Sequence, residues 1–196
     1  MKTGVLETQE GSSFVELGTT RVTAIVDGPK QAIKNVDVHS LEGTVRVIVN
    51  NGSGIDHLLQ SAMRSLICLN QFPKAQIDIE ITVLEDDGGV LAASLMAASL
   101  ALCHSGIPTL DICLAAHVAI TTDDYIIVDP FKKDMTSNDC LSVTVGIMPS
   151  LNQVICYQQS GISSREQLSK AFSTALTAAF HLYKIFCDAL RVSQQT

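Results

Sequence analysis

The stretch QIDIEITVLEDDGGVLAASLMAASLALCHSGI, residues 76–107, carries the clearest structural signal in this chain. Apolar residues at every second position from Ile77 to Val83 predict a strand with one buried face. The turn EDDGG follows at 85–89, and then an alanine- and leucine-rich segment with almost no charge. Such a segment is typical of a helix buried on most sides, and Gly106 is placed to end it in a left-handed conformation.

The glycine turn is the first candidate for a functional feature. Gly88 and Gly89 let a backbone or ligand approach the helix start closely, and free N–H groups there can bind an anion. Asp86 and Asp87 are more often caps of the next helix than chemical groups. A kinase-type phosphate loop is disfavoured, because a lysine and the wider glycine pattern are missing.

The composition predicts one domain, residues 1–196, with a large aliphatic core. Apolar residues make up 46% of the chain and charged residues 17%, and tryptophan is absent. The formal net charge is −7. Proteins that grip nucleic acid alone are usually basic, so any RNA contact is expected to be local or shared with a partner.

Six cysteines without a CxxC pair favour buried free thiols in a reducing compartment over a disulfide scaffold or a zinc site. The first residues, MKTGVLETQEGSS, contain no apolar signal core. No apolar run reaches 18 residues, so neither a membrane span nor secretion is expected.

The segments before residue 76 predict a hairpin, a third strand and a helix. The hairpin covers Gly4–Gly28 and its second strand ends at Gly28-Pro29; a polar loop then covers residues 30–42. A strand at 45–49 and a turn at 50–54 lead into a helix at 55–70, which Pro73 stops.

The segments after residue 107 predict further strands and a last helix. The apolar run at 110–121 is typical of a strand buried on both faces. Asp123 and Asp124 are expected to form a turn that leads into a short strand, and a polar connector covers 129–139. Strands at 141–145 and 154–157 precede a helix that Ser163 and Ser164 can cap. The resulting class is α+β, with sheets packed by helices.

Four motifs together resemble the RNase PH family. They are GSSFVELGTTRVTAIVDGP at 11–29, FPKAQIDIEITVLEDDGGVLAASLMAASLALCHSGIP at 72–108, VDP at 128–130 and MPSLNQV at 148–154. The resemblance covers residues 3–190. It implies the RNase PH-like fold, of the ribosomal protein S5 domain 2-like type, with mixed sheets packed by helices. The family's usual N-terminal extension is short here, which leaves open whether the chain is truncated or compact.

Within that family, FP-K-AQ-ID, LEDDGG and MPSLNQV are most similar to the mRNA-transport-regulator type of non-catalytic ring subunit of the eukaryotic RNA exosome. That resemblance implies a hetero-oligomeric ring with other RNase PH-like subunits, contact with cap subunits, and RNA passing through the assembled channel. It also implies a role in RNA processing, including rRNA processing, and in RNA degradation. The implied location is the nucleus, with the nucleolus, and the cytoplasm.

The residues that active family members use are largely replaced. Arg64 matches a family arginine on the first helix, but Ser61 stands where its companion is expected. The phosphate-binding Thr-Arg pair after the glycines is Val90-Leu91 here, and the aspartate pair falls near Met135 and Leu141. Asp134 and Asp139 lie nearby but out of register. The site is therefore interpreted as inactive, with no catalytic residue, no metal and no cofactor.

Five basic residues remain candidates for RNA contact, although each is more often simply part of a solvated surface. They are Arg64, Lys132, Lys133, Arg21 and Lys74. Arg64, Gly88 and Gly89 form the remnant of the phosphate site, and an interface salt bridge is favoured for Arg64. His117, in an apolar strand, is expected to be a satisfied core histidine. The alternative function is a phosphorolytic 3′→5′ exoribonuclease, which needs anion-binding groups and a carboxylate pair.

Overall fold

The computed structural model describes residues 1–6, 9–31, 42–51, 54–121, 124–135 and 140–193, with side chains up to residue 191. Two β-sheets and three α-helices make up this part of the chain, which confirms the α+β class. Residues 32–41 of the loop predicted at 30–42, the turn residues 52–53 and Asp123, and the end of the connector at 136–139 lie outside the described residues.

The first sheet has five strands in the order β1-β2-β3-β5-β4 and contains the predicted central strand. β5 is antiparallel to β3 and parallel to β4. Its alternation places Ile77, Ile79, Ile81 and Val83 in the core, as predicted. The strands are β1 (Lys2–Thr3), β2 (Gly11–Leu17), β3 (Thr20–Gln31), β4 (Thr44–Asn50) and β5 (Ala75–Glu85).

The second sheet has four antiparallel strands in the order β7-β6-β8-β9. Every residue of β6 is buried, as the continuous apolar run predicts. The strands are β6 (Leu114–Ile120), β7 (Ile126–Val128), β8 (Leu141–Met148) and β9 (Gln153–Ser160).

Helix α2 (Val90–Ser105) forms the centre of the core. It packs against β2 and β3 of the first sheet and against β6 and β8 of the second. The side chains from Leu91 to Leu102 are all buried, which is what a helix that is apolar all round requires. Gly106 follows with a φ of 73°, so the left-handed helix end is also confirmed.

Two predicted boundaries are wrong because backbone pairing overrides the local sequence. β3 does not end at Gly28-Pro29. A register shift between Asp27 and Lys30 lets the strand continue to Gln31 beside β5. The helix predicted at 55–70 is α1 (Asp56–Leu66), followed by a short 3-10 helix at Leu69–Gln71.

Two long-range hydrogen bonds lie between the end of α1 and the segment that precedes β6. The amide of Cys68 donates to the carbonyl of Pro108 over 3.1 Å, and the amide of Leu110 donates to the carbonyl of Leu66 over 2.8 Å. Within the predicted strand, the amide of Leu110 is thus bound to α1, and the amide of Cys113 donates to Ser99 Oγ on α2 over 2.8 Å, so β6 begins only at Leu114.

Helix α3 (Arg165–Ser193) starts at the predicted capping residues. The amide of Gln167 donates to Ser164 Oγ over 3.2 Å, and the amide of Ser164 donates to Gln167 Oε1 over 3.0 Å, which forms a capping box. α3 packs against β6 and β8. No helix within the described ranges is both long enough and apolar enough to cross a membrane.

Candidate functional site

The glycine turn before α2 is fixed by the β2–β3 hairpin. Thr20 Oγ1 donates to the carbonyl of Gly88 over 2.5 Å and accepts from the amide of Asp87 over 3.2 Å. The hydroxyl of Thr19 donates to the carboxylate of Asp87. The turn between β2 and β3 therefore locks the chain immediately before the helix.

The predicted capping role of the two aspartates is wrong. Gly89 precedes the first helical residue, and no side chain caps the helix there. Asp86 instead accepts from the amide of Gly88 over 3.1 Å, and Asp87 accepts from Thr19. Both carboxylates stabilise the turn rather than the first turn of α2.

Gly88 gives room to the connector after β7. Its φ is 110°, and a Cβ at this position would lie 2.7 Å from the carbonyl oxygen of Pro130 and 3.0 Å from Met135 Cε. The connector also donates its Lys132 amide to the carbonyl of Asp87 over 2.6 Å. The close approach that this glycine permits is thus made by the chain itself.

A pocket of about 230 Å³ opens at the start of α2. α2 contributes Val90 and Leu91 to it, and the connector contributes Lys132 and Met135. The strands of the second sheet add one row of neighbouring side chains, since His117 pairs with Thr144 and Thr144 with Gln158. The full lining is Ile55, Asp86, Gly88, Gly89, Val90, Leu91, His117, Lys132, Met135, Ser142, Thr144 and Gln158.

His117 is a satisfied, buried histidine, as predicted, and it also forms part of the pocket wall. Its Nδ1 lies 2.7 Å from Thr144 Oγ1, and its Nε2 lies 3.2 Å from Met135 Sδ. Burial lowers the pKa of His117 to about 4. The imidazole is therefore neutral at physiological pH and contributes no positive charge for an anion.

Among the described residues that line the pocket, the one carboxylate is that of Asp86, and it already forms an ion pair within the chain. Lys132 Nζ lies 2.8 Å from Asp86 Oδ2. Burial raises the pKa of Asp86, but the hydrogen bonds from Lys132 and the Gly88 amide outweigh it, so this pKa lies below its ordinary value. The negative charge of Asp86 and the positive charge of Lys132 therefore compensate each other.

The positions matched to the family's aspartate pair lie at or beside the pocket. Met135 lines it, whereas Leu141 is buried in the core. Asp134 accepts from the Phe131 amide over 3.3 Å within the connector. Asp139 lies outside the described residues. Within the described ranges, no three His, Cys, Asp or Glu side chains are arranged to hold a metal ion.

Most predicted RNA-contact residues lie elsewhere and have partners in the chain. Arg21 pairs with Glu16 at 2.8 Å and with Glu85 at 3.3 Å. Arg64, on the last turn of α1, is exposed and lies 3.9 Å from Glu42.

Of the remaining three candidates, Lys132 lines the pocket together with Gly88 and Gly89. Lys133 Nζ lies 4.9 Å from the centre of the Phe131 ring. Lys74 is exposed in the turn before β5. The phosphate-site remnant is therefore split, because Arg64 is not among the described residues that line the pocket.

Sequence reasoning missed three polar residues of the pocket wall, namely Ser142, Thr144 and Gln158. The alternation SVTV along β8 contained a usable signal, because Ser142 and Thr144 share one face of the strand. That they face the glycine turn depends on the sheet order, which the local pattern does not contain.

The model of the RNase PH family, described as "3' exoribonuclease family, domain 1", matches residues 1–108, more than half of the chain. The chain belongs to the RNase PH family. The exosome complex component Rrp41 of Pyrococcus horikoshii is 30% identical across 97% of this chain and 82% of its own length. The exosome complex component ski6 of Schizosaccharomyces pombe is 28% identical across 97% and 84%.

Solved structures of similar fold confirm the RNase PH-like architecture. Rrp46 of rice superposes with a TM-score of 0.86 at 20% identity, covering 96% of this chain and 92% of that one. A chain of an archaeal exosome core gives a TM-score of 0.78 at 21% identity, covering 94% and 84%. The closer resemblance to the mRNA-transport-regulator type of subunit stays a prediction.

Proposed function

We propose that this chain is a non-catalytic subunit of an exosome-type ring. The observation that carries this proposal is the composition of the pocket at the start of α2. Hydrophobic Val90 and Leu91 stand after the glycines, His117 is neutral, and Asp86 is neutralised by Lys132. Among the described pocket residues there is neither an arginine for a phosphate nor a second carboxylate, and phosphorolysis needs both kinds of group.

The names of the relatives support membership of a ring rather than a free enzyme. Rrp41 and ski6 are both named exosome complex components, and one solved relative is an exosome with RNA bound to the active site. We infer that this chain joins other RNase PH-like subunits in a hetero-oligomeric ring, contacts cap subunits, and supports 3′→5′ RNA processing and degradation through the shared channel.

The proposed location is the nucleus, with the nucleolus, and the cytoplasm. All six cysteines are free thiols, and Cys113, Cys140 and Cys156 are buried. Burial raises the pKa of Cys156 to about 11, so its thiol stays protonated and unreactive. Free thiols of this kind fit reducing compartments.

The catalytic proposal is tested with the purified chain, single-stranded RNA, inorganic phosphate and magnesium. No phosphate-dependent release of nucleoside diphosphates is expected, either from the wild type or from Arg64→Ala. In the assembled complex, Arg64→Ala is expected to leave RNA decay nearly unchanged. Phosphate-dependent release that Arg64→Ala abolishes would support the exoribonuclease alternative instead.

The assembly proposal is tested by native mass spectrometry of the tagged chain, purified gently from its own cells. Recovery with other RNase PH-like subunits is expected. Recovery of the chain as a homohexamer would contradict the hetero-oligomeric ring and revive the enzyme alternative.

A further inference from the structure

One ring nitrogen of His117 takes part in the pocket at the start of α2. The His117 side chain is only 9% exposed, and its Nδ1 lies 2.7 Å from the hydroxyl of Thr144. Its Nε2 lies 3.2 Å from Met135 Sδ, and both His117 and Met135 line the pocket. The two ring nitrogens therefore have partners of very different strength.

The hydroxyl of Thr144 decides which nitrogen carries the proton. Thr144 is buried, and within the described residues its hydroxyl has one hydrogen-bond partner, His117 Nδ1. A buried hydroxyl hydrogen without an acceptor is unfavourable, so Thr144 donates to Nδ1. Because burial lowers the pKa of His117 to about 4, the ring is neutral at physiological pH, and its single proton lies on Nε2.

The N–H group at Nε2 thus has only a weak acceptor. A thioether sulfur accepts hydrogen bonds poorly, and the methionine side chain is flexible. Met135 is the last residue of the short 3-10 helix Lys132–Met135 and is only partly buried. A carbonyl oxygen is a stronger acceptor, so a carbonyl group that enters the pocket would displace the sulfur from His117.

The charges around the pocket disfavour both an anion and a cation. Asp86 is compensated by Lys132, but Asp129 Oδ1 lies beside Gly89, 3.3 Å from where a Cβ of that glycine would be. An anion would be repelled by this carboxylate. An ammonium group has donors but no acceptor, so it cannot bind the N–H of His117.

The remaining wall fits a small ligand that is partly apolar and partly hydrogen-bonding. Val90 and Leu91 supply aliphatic surface, and the side chains of Ser142 and Gln158 have no hydrogen-bond partner among the described residues. The volume of about 230 Å³ is below the range of roughly 300–1,000 Å³ that drug-sized ligands occupy. The pocket therefore suits a ligand of fragment size.

We propose that this pocket binds a small neutral carboxamide with an apolar body. The carbonyl oxygen accepts from His117 Nε2 in place of Met135 Sδ, and the amide nitrogen donates to Ser142 or Gln158. The apolar body lies against Val90. The proposal does not depend on assembly into a larger complex, because every group that it uses belongs to one chain.

The proposal is tested by NMR titration of the purified chain at neutral pH with benzamide, benzoate and benzylamine. These probes share one aromatic ring and differ in charge. Benzamide is expected to shift the Val90 and Met135 methyl signals and the Nε2 proton of His117 in a saturable way. Its dissociation constant should be on the order of 1 mM, as for other very small ligands. The charged probes should bind at least about tenfold more weakly.

Two variants should move the affinity for benzamide in opposite directions. Met135→Leu conserves the side-chain volume and removes the sulfur, so benzamide has no bond to displace and should bind about threefold more tightly. His117→Phe keeps a ring but removes the N–H donor, so binding should weaken by about tenfold. The matched control is His181→Phe at an exposed position on α3, which should leave the affinity unchanged.

Three results would overturn the proposal. They are the absence of a saturable benzamide shift, benzoate binding as tight as that of benzamide, and benzamide binding that leaves the His117 Nε2 proton unshifted. If His117→Phe fails to fold, the Nε2 proton signal and Met135→Leu still decide the outcome, since weaker binding by Met135→Leu would contradict the displacement of the sulfur.

Discussion

Lys132 Nζ lies 2.8 Å from Asp86 Oδ2, and the backbone amide of the same lysine donates to the carbonyl of Asp87. One residue of the connector is thus bound twice to the turn that precedes α2. The pair joins two segments of the pocket wall that are distant in sequence. The pocket carboxylate therefore serves the fold, which agrees with the proposed loss of catalysis.

Lys132→Ala is expected to raise the pKa of Asp86. Burial alone raises this pKa, and the opposing hydrogen bond and charge of Lys132 are removed by the substitution. In the wild type the pKa is lowered, so the stabilisation is present at neutral pH and is lost as the pH falls through the folded-state pKa. Because both side chains are well exposed, solvent screens the pair and the loss of stability should be small.

Carboxyl NMR titration checks this change, with Lys133→Ala as the control. Lys133 lies over the Phe131 ring, so its removal should leave the Asp86 titration in place. Equal Asp86 pKa values in the wild type and in Lys132→Ala would show that the ion pair does not form in solution.

The central strand and the buried helix were predictable because their local pattern and their tertiary role agree. The alternation from Ile77 to Val83 requires one buried face, and that face meets an α2 that is itself apolar all round. The end of α1 was not predictable in this way. It is set by the pairing of Cys68 with Pro108, a contact that no window of sequence around either residue contains.

The site was predictable in part. The glycine turn and the replaced family residues were visible in the sequence, and Met135 does line the pocket. The partners of Asp86 and Asp87 were not predictable, because Lys132 and Thr19 reach them through the folding of separate segments. Ser142 was overlooked because its role depends on which face of β8 meets the turn.

Gly88→Ala is expected to destabilise the protein more than Gly106→Ala. Both residues have positive φ, so each substitution strains the backbone, which costs about 1 kcal/mol. At Gly88 the new Cβ would also lie 2.7 Å from the carbonyl oxygen of Pro130, whereas at Gly106 no atom lies within 4 Å. The total loss at Gly88 should be about 3 kcal/mol, measured by urea denaturation. If both variants lost the same unfolding free energy, the close packing of the connector against Gly88 would be contradicted.

Asp111→Ala is expected to loosen the β8–β9 turn. The carboxylate accepts from the amides of Ile112, Ser150 and Leu151, and also from the Ser150 hydroxyl. Removing these charge-assisted bonds should cost about 2 kcal/mol of unfolding free energy. Asp111→Asn keeps one acceptor oxygen and should lose less. Thermal unfolding checks the order; if Asp111→Asn were the less stable variant, the hydrogen-bond account would be wrong.

His117 is expected to make stability depend on pH in the mildly acidic range. Its pKa falls from an ordinary 6.5 to about 4 in the folded protein because of burial, so the unfolded chain binds the proton more readily between these values. The stabilisation is complete above pH 6.5 and is lost as the pH falls to about 4, a change of about 3 kcal/mol.

Unfolding free energies measured by urea denaturation at a series of pH values test this pH dependence. His117→Gln should flatten the slope, and His57→Gln, at an exposed position on α1, should keep it. A wild-type slope unchanged by His117→Gln would mean that other groups cause the pH dependence.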